Sequence, residues 1–327
     1  MWYSNKCLTR FFMNSAVVSV CFLLMALSGQ VLRAEIVKYA RFQIGDTVAY
    51  GIVEGDQIRQ LDGDLFGEWE KTSKRYALQD VRLLVPSTPQ HVFAMAGNYK
   101  SHLGKGGTTT TITTKTKVVF DPETKQAKTS TSTTEDTRVP GVVPKKMQIP
   151  QPFFKSTSSL TAHETNIVIP KNSRGIVHFE AEMVIVIGRL AHNVSRDTAL
   201  DYVLGVTCGN DVSEREWQKG DVQWWRAKGS DTFGPCGPYI VSGVDYDNLQ
   251  MTLRLNGKVM QDESTSHLIH DVASCVSHIS HHTTLSPGDL IFTGTPGSTS
   301  VIKPGDEVEI ELEYVGTLRN RVVAEPH

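Results

Sequence analysis

The sequence predicts a mainly β (α+β) chain, and three observations carry that prediction. From Glu35 to about Pro86, short strand-like runs alternate with turns. Met183 to Ile187 is an unbroken apolar run, as a strand covered on both faces reads. Asn256-Gly257 separates two further strand-like runs as a hairpin turn does. The chain has 327 residues, enough for one large domain with a smaller companion, and a formal net charge of −2. That balance offers neither a basic field for nucleic acid nor an acidic solvating tail.

At the N-terminus, Lys6 and Arg10 precede an apolar stretch from Ala16 to Gly29, and Ala34 supplies a small residue for cleavage. This is the pattern of a secretory signal over residues 1–34. The run is short for a membrane span, which needs about 20 residues; an uncleaved, membrane-held signal anchor is the alternative. Cleavage near Ala34 would leave an exported protein, periplasmic or secreted, starting at about Glu35. Cys7 and Cys21 would leave with the signal. Cys208, Cys236 and Cys275 lack metal-type spacing, and either one disulfide or three buried thiols fits them.

Ile36 to Phe42, Val48 to Val53 and Gln57 to Leu61 then read as strands, joined by turns at Gly45-Asp46 and Glu54-Gly55-Asp56. They form a small N-terminal β domain over residues 35–88, which carries no nucleophile or ligand cluster and reads as scaffold. Residues 89–327 would be the larger domain. Val92 to Ala96 is a buried-type strand ending in Gly97-Asn98-Tyr99-Lys100-Ser101-His102. A turn there would deliver Tyr99 and His102 to an active-site edge, although a lone histidine is more often a surface or core residue. Residues 104–150 break the pattern with two Thr/Ser-rich tracts and Pro140, Pro144 and Pro150. This is the composition of a mobile insertion, with a Thr-rich hairpin as the form it would take. Directly after His102 it reads either as a lid or as a loop without function.

Phe153 to Leu160 re-enters ordered structure, and Ile167-Val168-Ile169-Pro170 is a short strand. In the run His178-Phe179-Glu180-Ala181-Glu182, alternate residues of a strand would put His178, Glu180 and Glu182 on one face. Two carboxylates about 7 Å apart repel unless something positive lies between them. A solvent-exposed charged strand is the competing reading. Asp211, in a turn after the next apolar segment, favours a cation. Three carboxylates without a cysteine cluster are hard oxygen ligands, suited to Mg²⁺, Mn²⁺ or Ca²⁺ rather than structural zinc.

Val212 to Lys219 is helix-like, and helical spacing would place Asp211, Arg215 and Gln218 on one face, with a salt-bridged surface helix as the alternative. Trp224-Trp225 followed by Arg226-Ala227-Lys228-Gly229 suggests the wall and polar floor of a pocket. Tyr239 to Val241, Met251 to Leu255 and Lys258 to Met260 read as strands, and His270 to Ile279 as a helix with His278, His281 and His282 at its solvated end. Leu285 to Gly297 is a strand running into a turn, where Gly294 and Thr295 would present N–H groups and a hydroxyl to an anion. Lys303-Pro304-Gly305-Asp306 turns the chain into a last strand pair.

Together these segments resemble the fumarylacetoacetate hydrolase (FAH) superfamily, in particular its bacterial-type acylpyruvase and 2-hydroxyhepta-2,4-diene-1,7-dioate isomerase-like members. The resemblance rests on Gly97-Asn98-Tyr99…His102, His178-Phe179-Glu180-Ala181-Glu182, Gly209-Asn210-Asp211…Arg215…Gln218, Trp224 to Gly229, Leu285-Ser286-Pro287-Gly288-Asp289 and Thr293-Gly294-Thr295-Pro296, in that order. It implies an FAH-type mixed β-roll catalytic domain, a homodimer, and a Mg²⁺ or Mn²⁺ ion on Glu180, Glu182 and Asp211, with Ca²⁺ also compatible. It implies catalytic roles for His102, Lys228, Arg215 and Gln218, and substrate contacts at Asn98, Tyr99, Gly294 and Thr295. The implied reaction is hydrolytic cleavage of a carbon–carbon bond in an acylpyruvate or related 1,3-diketo acid, through a metal-chelated enolate and a His-activated water.

One position departs from the family pattern. Hydrolytic members often pair the histidine with a glutamate three residues later, and here that position is Lys105. Either an acid of the insertion (Glu123, Glu135 or Asp136) replaces it, or the water-activating pair is absent. In the second case the same framework suits isomerisation, decarboxylation or hydration of a 2-oxo dicarboxylic acid. An exported, catalytically weak carboxylate-binding protein is the reading from a different class.

Overall fold

The structure is a computed structural model that describes residues 35–103, 109–120, 122, 127–138 and 142–326. The signal-like segment, Lys105 and Glu123 lie outside the described residues, as do the side chains of Glu135 and Asp136.

Strands β1 (Val37–Ile44), β2 (Thr47–Glu54), β3 (Gln57–Gly63) and β4 (Trp69–Ala77) form an antiparallel meander. The first three stand where alternation and turn residues place them, over a small cluster of Ala40, Phe42 and Ile58. β4 carries no such signal, because its residues are charged and mostly exposed. An edge strand draws its backbone bonds from one neighbour and needs no apolar face.

The chain continues through β5 (Arg82–Leu83), β6 (Val92–Met95) and a single helical turn, α1 (Lys100–Leu103). The Thr-rich segment forms β7 (Thr109–Phe120) and β8 (Ala127–Arg138), an antiparallel ladder separate from the other sheets. Then come β9 (Pro152–Lys155), β10 (Leu160–Thr161), β11 (Asn166–Ile169), β12 (Val177–His178), β13 (Ala181–Ile187) and β14 (Val203–Asn210). β15 (Ser213–Glu214) leads into α2 (Arg215–Gly220) and α3 (Trp225–Gly229). The last elements are β16 (Gly234–Ser242), β17 (Gln250–Leu255), β18 (Lys258–Ser264), α4 (Val272–Ser280), β19 (Leu290–Phe292), β20 (Glu307–Leu312) and β21 (Gly316–Ala324).

The large sheet runs β4-β3-β2-β1-β16-β14-β13-β19-β6-β9, so the N-terminal meander joins the main sheet through β1 and β16. A second sheet, β11-β21-β20-β17-β18, packs its apolar face into the same core as β13. Every residue of β13 is buried, as its unbroken apolar run requires of a strand with neighbours on both edges. α4 is capped by Asp271, whose carboxylate accepts from the Ser274 N–H, and buries Val272, Cys275, Val276 and Ile279 at helical spacing. Among the described residues no helix is long and apolar enough to cross a membrane.

Two local expectations need correction. His178 and Glu180 do not share a continuous strand with Glu182: β12 ends at His178, pairs with β15, and the chain breaks at Phe179-Glu180 before β13 begins. Asp211 is not on the helix of Arg215 and Gln218. Residues 213–214 are drawn into that short ladder, and α2 starts only after it, capped by the Glu214 carboxylate on the Trp217 N–H at 2.6 Å.

Candidate active site

The antiparallel pairing of β13 with β14 sets Ala181 opposite Asn210 and Glu182 opposite Gly209. Asp211, one residue beyond the strand, therefore arrives beside Glu180, and its N–H donates to the Glu180 carbonyl at 2.9 Å. Gly209 is required for this approach, since a Cβ there would lie 2.4 Å from a Val184 methyl and 2.5 Å from the Phe292 ring. The Asn210 side chain accepts from the Glu180 N–H at 2.9 Å and fixes the strand break. The outcome is a buried cluster in which Glu180, Glu182 and Asp211 each offer a carboxylate oxygen within 4.8 Å of the others.

Three basic side chains reach this cluster from separate segments. Lys228, in α3, donates to Glu180 Oε2 and Asp211 Oδ2, both at 2.6 Å. Arg215, the first residue of α2, donates to Glu180 Oε1 at 2.6 Å, to Gln218 at 2.8 Å and to Thr299 at 2.9 Å. Lys155, at the end of β9, donates to Asp211 Oδ1 at 2.6 Å and to the carbonyls of Lys228 and Phe233. Sequence reasoning did not single out Lys155; its only local signal is a lysine closing the apolar run Pro152-Phe153-Phe154. All three ammonium hydrogens of Lys155 are spent inside the protein, whereas Lys228 has one left for a ligand.

Glu182 is the exception. Its one hydrogen bond is from the Gly294 N–H at 2.7 Å, with no cationic partner among the described residues. Burial and then the neighbouring Asp211 and Glu180 carboxylates push its pKa well above the usual carboxylate range. Burial pushes Glu180 the same way, but Lys228, Arg215 and His102 outweigh it and hold that carboxyl at about 2. Burial would discharge Lys228, yet Asp211 and Glu180 overcome it and keep the ammonium pKa raised. An all-oxygen donor set with one carboxylate lacking a counter-charge fits a hard divalent cation.

A cavity of about 440 Å³ opens beside the cluster. Glu180, Glu182, Lys228, Arg215, Gln218 and Thr295 supply its polar wall, and Met95, Leu103, Met147, Phe153 and Trp224 its apolar one. His102 reaches it from α1. Its Nδ1 lies 2.9 Å from the Gly297 carbonyl, which can only accept, so the N–H sits on Nδ1 and a neutral ring keeps its lone pair on Nε2. Trp224 packs edge-on against Phe153 with ring centroids 5.2 Å apart, while Trp225 is exposed. A second cleft of about 500 Å³ shares Ala96, Met147, Phe153 and Trp224 with the first and adds Phe154, Val222 and Trp225.

The structure places three of the residues expected to contact substrate outside the cavity lining. Asn98 is buried and spends its amide on backbone, donating to Thr293 O and His270 O and accepting from His270 N. Tyr99 is buried in the core, and its hydroxyl has no hydrogen-bond partner among the described residues. Neither lines the cavity. Gly294 gives its N–H to Glu182, and its φ of +99° with the Asn98 Cβ close by is the reason for glycine there. Cys208, Cys236 and Cys275 are buried free thiols.

Residues 91–323 match the family model described as "Fumarylacetoacetate (FAA) hydrolase C-terminal", and residues 37–86 match "Rv2993c-like, N-terminal". The chain is 36% identical over 296 residues to Protein Rv2993c of Mycobacterium tuberculosis, covering 88% of this chain and 98% of that one. The crystal structure of 2-hydroxyhepta-2,4-diene-1,7-dioate isomerase from Mycobacterium marinum aligns with a TM-score of 0.72 and 35% identity, over 89% of this chain and 100% of that chain. The structure of maleylpyruvate hydrolase from Sphingobium sp. SYK-6 in complex with manganese (II) ion and pyruvate aligns with a TM-score of 0.65 and 25% identity, over 88% and 100%. The mainly β fold is that of these neighbours.

Proposed function

Because the chain belongs to the fumarylacetoacetate hydrolase family, we propose that it is a divalent-metal-dependent enzyme that cleaves a carbon–carbon bond of an acylpyruvate or related 1,3-diketo acid by hydrolysis. The observation that carries this reading is the buried carboxylate cluster, with Glu182 lacking a counter-charge, at the wall of a cavity that also holds His102, Arg215, Gln218 and Lys228. Glu180, Glu182 and Asp211 would hold Mg²⁺ or Mn²⁺, which when bound supplies Lewis-acid polarisation of a 2-oxo acid's oxygens.

The chain's own groups supply the rest. His102 Nε2 takes a proton from a water as its oxygen attacks the acyl carbonyl. The remaining Lys228 N–H and the Arg215–Gln218 pair stabilise the negative charge that develops on that carbonyl oxygen. When the carbon–carbon bond breaks, the electron pair leaves with the pyruvate fragment, and His102 returns the proton to its carbon. The products are a carboxylic acid and a 2-oxo acid. The cleft that shares Phe153 and Trp224 with the cavity, and adds Phe154 and Trp225, suits an apolar acyl group.

One observation favours a second reading. The Nδ1 partner of His102 is a backbone carbonyl rather than a carboxylate. A single base moving one proton is sufficient for isomerisation, the reaction for which the Mycobacterium marinum protein is named. The N-terminal signal pattern supports export and the family resemblance supports a homodimer; cell fractionation and light scattering test these.

The deciding experiment is an ultraviolet assay of Mg²⁺- or Mn²⁺-loaded protein on a panel of acylpyruvates and oxaloacetate. Loss of acylpyruvate enol absorbance with release of the free acid, abolished by chelator and by Glu180→Ala, is the expected result. Enol loss without acid release would make it an isomerase, and turnover of oxaloacetate alone a decarboxylase or tautomerase. Silence across the panel with metal bound would favour the carboxylate-binding protein.

A further inference from the structure

Gln261, in β18, is buried and does not line the cavity, yet its amide joins the two walls of the site. Its Oε1 accepts from the N–H of Ala181 at 3.1 Å, the residue between Glu180 and Glu182. A backbone N–H can only donate, so this contact fixes which end of the amide is oxygen. The nitrogen must then face the other way, where it donates to the Pro296 carbonyl and to Thr295 Oγ1, the latter at 2.9 Å. A flipped amide would set oxygen against the Pro296 carbonyl and N–H against N–H. The orientation is over-determined.

The consequence falls on Thr295. A free hydroxyl can donate or accept by rotating. Here the Thr295 oxygen is already an acceptor for Gln261, and its own proton has no acceptor among the described residues. Thr295 lines the cavity and follows Gly294, whose N–H meets Glu182. We infer that Gln261 is a positioning residue that, by occupying one acceptor lone pair of the Thr295 hydroxyl, turns its proton toward the cavity, so that the site favours ligands presenting an anionic oxygen there. Through Ala181 the same amide holds the Thr295 loop in register with the carboxylate strand. The inference rests on the 2-oxo acid reading above, since it needs a carboxylate or enolate oxygen at that place.

The test is calorimetric binding of oxalate, a planar dianion that mimics a 2-oxo acid's enolate, to Mn²⁺-loaded protein, with Mn²⁺ affinity measured separately. Thr295→Val should weaken oxalate on the order of 10-fold to 100-fold, the range for a hydrogen bond to a charged group. Gln261→Met should weaken it about 10-fold when Thr295 is present and hardly at all in the Thr295→Val background. Gln261→Glu, the same size but offering Thr295 an acceptor, should cost more than Gln261→Met. Thr295→Ser, which restores the hydroxyl, should regain both affinity and sensitivity to Gln261→Met.

Equal losses from Gln261→Met in the two backgrounds would reduce Gln261 to a packing residue and overturn the inference. An unchanged oxalate affinity in Thr295→Val would do so without any Gln261 variant having to fold. Failure of the unmodified, Mn²⁺-loaded protein to bind oxalate would instead overturn the 2-oxo acid reading, and this inference with it.

Discussion

Asn98 separates a scaffold role from a substrate role more cleanly than any other residue near the site. Its amide nitrogen donates to Thr293 O at 2.8 Å and to His270 O at 3.0 Å, and its oxygen accepts from His270 N at 2.8 Å. These bonds tie the turn before α1 to the loop before α4 and to the end of β19. Asn98→Ala leaves two carbonyls and one N–H without these partners in a buried place. At about 1–3 kcal/mol for each such group, with the carbonyls at the low end, the expected loss is about 3–5 kcal/mol. For a chain of this size that lowers the melting temperature by roughly 6–15 °C. Asn98→Asp should fall further, since an oxygen would then face both carbonyls. The assay is thermal unfolding of metal-loaded protein, paired with kinetics well below the midpoint, where kcat/KM should stay within about threefold because the side chain does not line the cavity. An unchanged midpoint with a raised KM would refute the reasoning and return Asn98 to the substrate.

Two further predictions concern charge. Lys155→Met removes one of the two cations on Asp211, and breaking a buried pair costs up to about 3–5 kcal/mol. Bound Mn²⁺ offers Asp211 a replacement, so the variant should lose more stability without metal than with it; equal losses in denaturant titrations would mean that Lys155 does not act through Asp211. His178 is held at a pKa of about 4, first by burial and then by the Arg215 guanidinium. The unfolded imidazole takes up a proton as pH falls through 6.5 while the folded one stays neutral until about 4. The stability this contributes is full above pH 6.5 and is lost as pH falls toward 4. Melting curves should show that decline and His178→Asn should flatten it, the remaining slope belonging partly to His163 and His278, whose pKa values burial also lowers.

How much of this was legible in the sequence depends on how far each signal had to travel. The meander β1 to β3 was legible because turn residues and alternation are local. β13 was legible because an unbroken apolar run of that length suits a central strand. The break at Glu180 and the late start of α2 were not, because both follow from β12 pairing with β15, a ladder of two residues on each strand. Asn98 and Tyr99 read as an active-site edge because a turn after a buried strand commonly is one. Nothing local shows that their side chains turn inward, toward partners about 170–195 residues away for Asn98.

The same distinction explains why the carboxylate cluster was more readable than the basic groups around it. Glu182 lies in the β13–β14 pair and Glu180 and Asp211 directly flank it, and their donor type alone narrows the ion. Their basic partners come from β9, α2 and α3, and nothing in the sequence brings Lys155 within 2.6 Å of Asp211. Those partners nevertheless set the electrostatics. Three carboxylates face three basic groups, so with all six ionised a bound divalent cation would leave the cluster net positive. Two of the basic groups, Lys228 and Arg215, line the cavity with N–H donors that have no partner among the described residues, and Gln261 aims the Thr295 proton into it as well. On the proposed function, a site with that surplus would draw in a 2-oxo acid carboxylate and hold the charge that develops as it reacts.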